Sequence, residues 1–154
     1  MKRALYLAAL LCAVTEVSML RVSAQQPQTA RDGVYTAAQA TRGAALYQMR
    51  CLACHGPKLE GDLGPPLAGT NFLGTWGPQT LSDLFDKIHD TMPYDAPGTL
   101  TDAQVADVVS YLLQSNQLPA GRAELAGGAA LKQIAMDPVR RQDVQGVQDP
   151  VRGA

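Results

Sequence analysis

Aromatic side chains are scarce in this chain of 154 residues: two phenylalanines, one tryptophan and five tyrosines, five per cent in all. A stretch of about eighty residues so poor in large rings builds only a marginal core by itself. Histidine occurs twice and cysteine three times. That is thin provision for a structural zinc site, which takes four protein ligands. No apolar run approaches the roughly 20 residues needed to span a bilayer. An excess of basic side chains is missing too, with 13 Lys and Arg against 14 Asp and Glu. No internal repeat is visible and no segment alternates convincingly like a strand. What remains is a chain with helical periodicity and a few small, informative clusters.

The first cluster is at the N-terminus. Lys2 and Arg3 precede an uncharged apolar run from Ala4 to Val14, and Val22-Ser23-Ala24 offers small residues at a cleavage point before Gln25. This is the layout of a secretory signal peptide over residues 1–24. Glu16 and Arg21 interrupt any continuation into a membrane anchor, so the expectation is export to the periplasm. Removing those 24 residues leaves ten basic against thirteen acidic side chains, a charge of −3. Residues 36–118 alone hold four basic and eight acidic side chains, or −4. Such a balance is unsuited to nucleic acid or an anionic surface.

Residues 25–35 show no periodicity and are expected to form a flexible arm. Thr36 begins a helix, with Gln39 completing a capping-box pattern. Ala40, Gly43, Ala44 and Tyr47 follow the i, i+3, i+4, i+7 rule, and Cys51 continues their face. Gly56 to Gly77 is rich in glycine and proline and reads as loop. So long a loop needs some large surface to pack on. Thr80 caps a second helix, favoured by Asp83 at its positive end, whose apolar face is Leu81, Leu84, Phe85 and Ile88. Met92-Pro93 ends it. Thr101 and Gln104 open a third helix with the stripe Val105, Val108, Val109 and Leu112. These elements predict an all-α class of three main helices. Residues 119–154 form an extension expected to be mostly disordered, above all from Asp137. Its weak apolar cluster of Leu125, Leu131 and Ile134 permits a short helix around 128–135.

The most specific signal is Cys51-Leu52-Ala53-Cys54-His55. Loss of Cys12 with the signal leaves Cys51 and Cys54 as the mature chain's cysteines. In an oxidising compartment two cysteines read as a disulfide, and C-x-x-C is also a thiol–disulfide redox motif. Neither reading explains the adjacent histidine, and no strand–helix alternation surrounds the motif. C-x-x-C-H is the attachment pattern of c-type haem: two thioethers to the vinyl groups and an imidazole toward the iron.

At these residues the chain resembles the class I c-type cytochromes over about 36–118. Gly43, Tyr47 and Cys51 reproduce the family's Gly-x-x-x-aromatic-x-x-x-Cys spacing, with Val108 and Tyr111 at the positions of its last-helix contacts. Gly64-Pro65-Pro66-Leu67 matches a Gly-Pro-x-Leu segment. There the resemblance implies that the Pro65 carbonyl accepts from the ligating histidine and that Leu67 covers the haem. For the opposite face the sequence offers Met92, Met49, Met136 and His89. Met49 is too close to Cys51 to reach round, Met136 lies in the tail, and His89 suits a helix surface. Met92 follows a helix and is fixed by Pro93, and the resemblance favours it. Trp76 and Tyr94 either donate hydrogen bonds near the haem or simply pack.

The expected site is therefore one covalent haem c held by Cys51, Cys54, His55, Pro65, Leu67 and Met92, with iron between His55 and Met92. Two filled axial positions leave no opening for substrate, and histidine–methionine ligation raises the potential. The resemblance implies a non-enzymatic one-electron carrier working between redox proteins, a periplasmic dehydrogenase and an oxidase or other acceptor. The Met-Pro-x-Asp-x-Pro-Gly run from Met92 to Gly98 is similar to bacterial cytochromes associated with such enzymes. The alternative is a haem enzyme or small-ligand sensor with an open iron. Haem would also supply the apolar body that the aromatics do not, so the chain without it is expected to be largely unfolded.

Overall fold

A computed structural model describes residues 28–136; the signal peptide expected over residues 1–24 and the disorder expected from Asp137 onward fall outside the described residues. Five α-helices appear there: α1 Ala37–Arg50, α2 Leu52–His55, α3 Thr70–Trp76, α4 Leu81–Thr91 and α5 Asp102–Ser115. The three longest are those anticipated from periodicity. Their starts are fixed by threonine caps: the hydroxyls of Thr36, Thr80 and Thr101 accept from the third amide of α1, α4 and α5. Full capping boxes form at Thr80–Asp83 and Thr101–Gln104. At Thr36 only half the expected box forms, because Gln39 turns inward to another partner.

The contact of α1 with α5 is the most extensive in the fold. Gly43 makes it possible, since a Cβ there would lie 1.8 Å from the Asp107 carbonyl oxygen and 3.0 Å from Tyr111 Cβ. The two helices cross backbone against backbone, and Tyr47 and Tyr111 meet beside them with ring centroids 5.3 Å apart. Arg42 clamps the same pair from outside, donating from Nε and Nη2 to the two Asp107 carboxylate oxygens at 2.9 Å. α4 then closes the core with Leu81, Leu84, Phe85 and Ile88, all buried.

Three expectations are corrected. Residues 28–35 are no free arm: Ala30, Val34 and Tyr35 are buried, and the Tyr35 hydroxyl donates to Leu118 O at 2.6 Å. Their small run lacked periodicity because they pack as single anchors, not as a helix face. Helix α3 interrupts the stretch read as loop, with Phe72 buried and Trp76 tilted against it one turn on; seven residues are too few for a periodic signal. Residues 119–136 are laid along the helices. Strand β1 (Gln28–Thr29) pairs in parallel with β2 (Ile134–Ala135), aligning Gln28 with Ile134 and Thr29 with Ala135. Ahead of β2, Ala129–Gln133 forms a 3₁₀ turn with Leu131 buried, inside the region where a short helix was expected. Met136, assigned to a tail, is fully buried, and its N–H donates to Gln79 O at 2.8 Å.

Gln39 is the hinge pin of this arrangement. Its buried amide donates to Leu125 O at 2.8 Å and accepts from Leu125 N–H at 2.7 Å. One side chain thereby satisfies both backbone groups of a residue in the extension.

Candidate haem site

Cys51 ends α1 and begins α2 at once. Its N–H donates to Tyr47 O at 2.9 Å, while its carbonyl accepts from Cys54 N–H and His55 N–H at 3.1 and 3.0 Å. A single helical turn thus separates the two cysteines, so their side chains share one face. Both thiols are unpaired and half-buried. Burial pushes the Cys51 thiol up to about 11, whereas redox-active C-x-x-C motifs depress it.

Gly56 ends the turn at φ +79, and a Cβ there would strike the Glu60 side chain. Tyr47 locks this corner from below, its hydroxyl donating to Gly56 O at 2.6 Å. Burial holds the Tyr47 phenol at about 12, so it keeps the proton it donates. The following loop is lashed back onto α2: Gly61 N–H donates to His55 O at 2.9 Å and Gly64 N–H to Cys54 O at 2.8 Å.

That loop delivers Pro65 to the histidine. His55 Nδ1 lies 2.7 Å from Pro65 O. A carbonyl only accepts, so Nδ1 must carry the proton, which fixes the tautomer and leaves the Nε2 lone pair free. His55 is 8 % exposed, yet no buried side-chain nitrogen or oxygen among the described residues is left without a partner. Nε2, which has no hydrogen bond, therefore opens onto accessible space. Gly64 confines the ring from the side: a Cβ there would come 2.7 Å from Cε1 and 2.9 Å from Nδ1 of His55.

Leu67 is half-buried, with its N–H donating to Leu59 O at 2.9 Å. Met92 stands on a separate element, as the extended C-cap of α4 at φ −124, ψ 151. It is half-buried against the core, and Pro93 behind it is buried. Leu46, Leu52, Leu67, Leu73, Trp76 and Met92 all touch the core on one side and remain partly open on the other. A large flat apolar group fits such a set of half-covered side chains.

The other candidates lie elsewhere. Met49 is 72 % exposed. His89 stacks on Phe85, with Nδ1 2.7 Å from Asp90 and Nε2 3.5 Å from Asp102, which accounts for both nitrogens. Tyr94, at 85 % exposure, does not pack. Two residues near the site had no role assigned from sequence: Gly64, matched within the Gly-Pro-x-Leu segment but whose role needs the ring position, and Asn116, a helix-end residue whose partners are distant in sequence.

Residues 38–112 match the family described as cytochrome c oxidase, cbb3-type, subunit III. The chain is also 31 % identical over 80 residues to cytochrome c-551 of Bacillus subtilis (strain 168), covering 52 % of this chain and 67 % of that protein. The chain belongs to the cytochrome c family. The family accordingly implies covalently attached haem c as cofactor and iron as metal, and relates the chain to electron-transfer cytochromes. The cytochrome is 37 % identical over 79 residues to thiosulfate dehydrogenase of Allochromatium vinosum, which accounts for 46 % of this chain and only 29 % of that protein. Among solved structures it aligns with a chain of the sulfane dehydrogenase SoxCD from Paracoccus pantotrophus, at TM-score 0.49 and 23 % identity, over 86 % of this chain and 74 % of that one. Among the described residues of the cytochrome, no helix is long and apolar enough to cross a membrane.

Proposed function

We propose that this cytochrome is a periplasmic one-electron carrier whose iron is held between His55 and Met92, and that it passes electrons from a dehydrogenase to an oxidase or other acceptor. The carrying observation is the 2.7 Å bond from His55 Nδ1–H to Pro65 O, which presents Nε2 outward as a fixed lone pair. Bound haem supplies the one-electron couple. The chain's residues do the rest. Cys51 and Cys54, one helical turn apart, are the thioether donors. Pro65 raises the basicity of the imidazole through the bond it accepts. Leu67 excludes water beside it, and Met92 offers a thioether from the end of α4, favouring the reduced state. The layout of residues 1–24 supports export.

A partner face that is apolar or basic also fits the surroundings. Leu63 and Tyr94 are the most exposed large apolar residues described, at 84 and 85 %. Each stands two residues from a proposed haem contact, Pro65 and Met92. With net acidic charge and no ring of lysines, the partner docks through basic or apolar surface. The thiosulfate dehydrogenase relative is consistent with a dehydrogenase donor.

The ligand reading is tested on the ferric holoprotein. The far-red absorption band of methionine on haem iron is expected, together with resistance to carbon monoxide in the reduced form. No such band and ready carbon monoxide binding would point instead to a haem enzyme or sensor with an open iron.

A further inference from the structure

Helix α5 ends on Asn116, a polar side chain only 8 % exposed. Nδ2 donates to Leu112 O at 2.8 Å, one turn back, and to Leu67 O at 3.0 Å, while Oδ1 accepts from Gly69 N–H at 2.9 Å. Both amide protons are thereby engaged. The bond to Leu112 is a local helix-end contact. The other two reach across to a loop nearly fifty residues earlier in the chain, and that loop carries Pro65.

The segment from Pro65 to Gly69 is therefore held at two places. At one end the Pro65 carbonyl faces His55 Nδ1–H. At the other, Leu67 and Gly69 are gripped by Asn116. Two residues of chain span at most about 7 Å, and Pro65 and Pro66 have fixed φ, so displacement at Leu67 passes to Pro65 with little slack. An asparagine suits the task. Aspartate would set a carboxylate against two carbonyls, and leucine would take from Leu67 O and Gly69 N–H, both part-buried in these bonds, the partner that holds them in place.

We propose that Asn116 is a positioning residue of the electron-transfer site: it sets the Pro65 carbonyl against the His55 ring and thereby tunes the donor strength of Nε2. This rests on His55 being the iron ligand, so the test separates the two ideas. The measurement is NMR on holoprotein with isotope-labelled histidine, in a His89→Gln background where His55 is the one histidine left of two. The parent should show ring signals shifted by the paramagnetic iron and a slowly exchanging Nδ1–H. In Asn116→Leu that proton should exchange about tenfold faster or more, and the midpoint potential should move while covalent haem content stays the same. Asn116→Ser, which keeps one donor and one acceptor, should fall between, and it carries the comparison if the leucine variant does not fold. Exchange and potential equal to the parent in a variant that merely unfolds more easily would make Asn116 a plain helix cap and overturn the proposal. A parent without shifted ring signals would instead overturn the ligand reading beneath it.

Discussion

Replacing Gly64 by alanine tests how tightly the protein confines the His55 imidazole. The added methyl would come within 2.7 Å of Cε1, 2.9 Å of Nδ1 and 3.1 Å of Nε2, where ordinary contact begins near 3.4 Å. The ring must therefore yield by up to 0.7 Å, the difference of those two distances. It has little freedom to do so. His55 N–H is bonded to Cys51 O at 3.0 Å, its carbonyl to Gly61 N–H at 2.9 Å, and its ring to Pro65 O at 2.7 Å. Gly64 itself is tied to Cys54 O at 2.8 Å. Overpacking of this kind costs about 1–3 kcal/mol. A strained Nδ1–H···O bond makes a weaker donor of Nε2 and disfavours the oxidised iron, so the potential should rise. If the two oxidation states feel even 0.5 kcal/mol of difference, the shift is about 20 mV for one electron. The assay is thermal unfolding of the holoprotein together with its midpoint potential. Gly74→Ala is the control: its Cβ would meet nothing within 4 Å, inside α3, and it should stabilise by about 0.4–1 kcal/mol. A Gly64→Ala protein with wild-type melting temperature and potential would refute the confinement argument.

Met92→His should lower the midpoint potential by on the order of 0.1 V, since axial ligation spans roughly 0.8 V across haem proteins; an unchanged potential would remove Met92 from the iron. Gln39→Leu strands the Leu125 N–H and carbonyl and should cost about 1–3 kcal/mol, read as a lower urea midpoint and faster proteolysis beyond Pro119. His89 has its pKa raised above the ordinary 6.5, chiefly by its bond to Asp90 with Asp102 and Asp86 adding. Its stabilisation is therefore complete below about pH 6.5 and is lost as pH rises through the higher folded value; melts at stepped pH should show that decline in wild type and not in His89→Gln. Chain prepared without haem should be largely unfolded by circular dichroism, and a well-packed apo-domain would contradict the view that the cofactor completes the core.

Where local chemistry decides structure, the sequence could be read. The Thr80 cap and the Thr101–Gln104 box need only neighbours three residues apart, and both formed, with Asp83 completing a box where only its charge was expected to count. The Gly43 crossing was legible through the family's Gly-x-x-x-aromatic-x-x-x-Cys spacing, which the chain reproduces. The Pro65 contact with His55 came from a resemblance, not from spacing. What escaped notice depends on distant partners. Gln39 looked like half of a capping box, and nothing near it in sequence announces Leu125. Val34 and Tyr35 lie in an aperiodic run, yet the Tyr35 carbonyl accepts from Gly121 N–H where two backbones cross at Gly33. Asn116 is likewise opaque, because an asparagine at a helix end is ordinary until its two loop partners are seen.

These distant contacts divide the molecule in a way that bears on function. From Leu125 onward the extension touches helix beginnings: Gln39 at the start of α1, Asp102 at the start of α5 beside Gly127, and Gln79 and Thr80 before α4. The proposed site uses helix ends instead: Cys51 after α1, Met92 after α4 and Asn116 after α5. Among the described residues, seven of the twenty-three buried apolar ones, from Ala30 to Tyr35 and from Leu125 to Met136, lie outside 36–118, so the core is larger than the resemblance alone implied. Apolar burial scales with area wherever it occurs, whereas ligand strength depends on a few hydrogen bonds at one place. On the proposed ligation, the potential is set at the helix ends, whereas the extension at the helix beginnings contributes to stability alone. Gln39→Leu should then lower stability while leaving the midpoint potential where it was, and Gly64→Ala should move both. A potential that followed Gln39→Leu would mean that the extension reaches the site through the helices, and the division would fail.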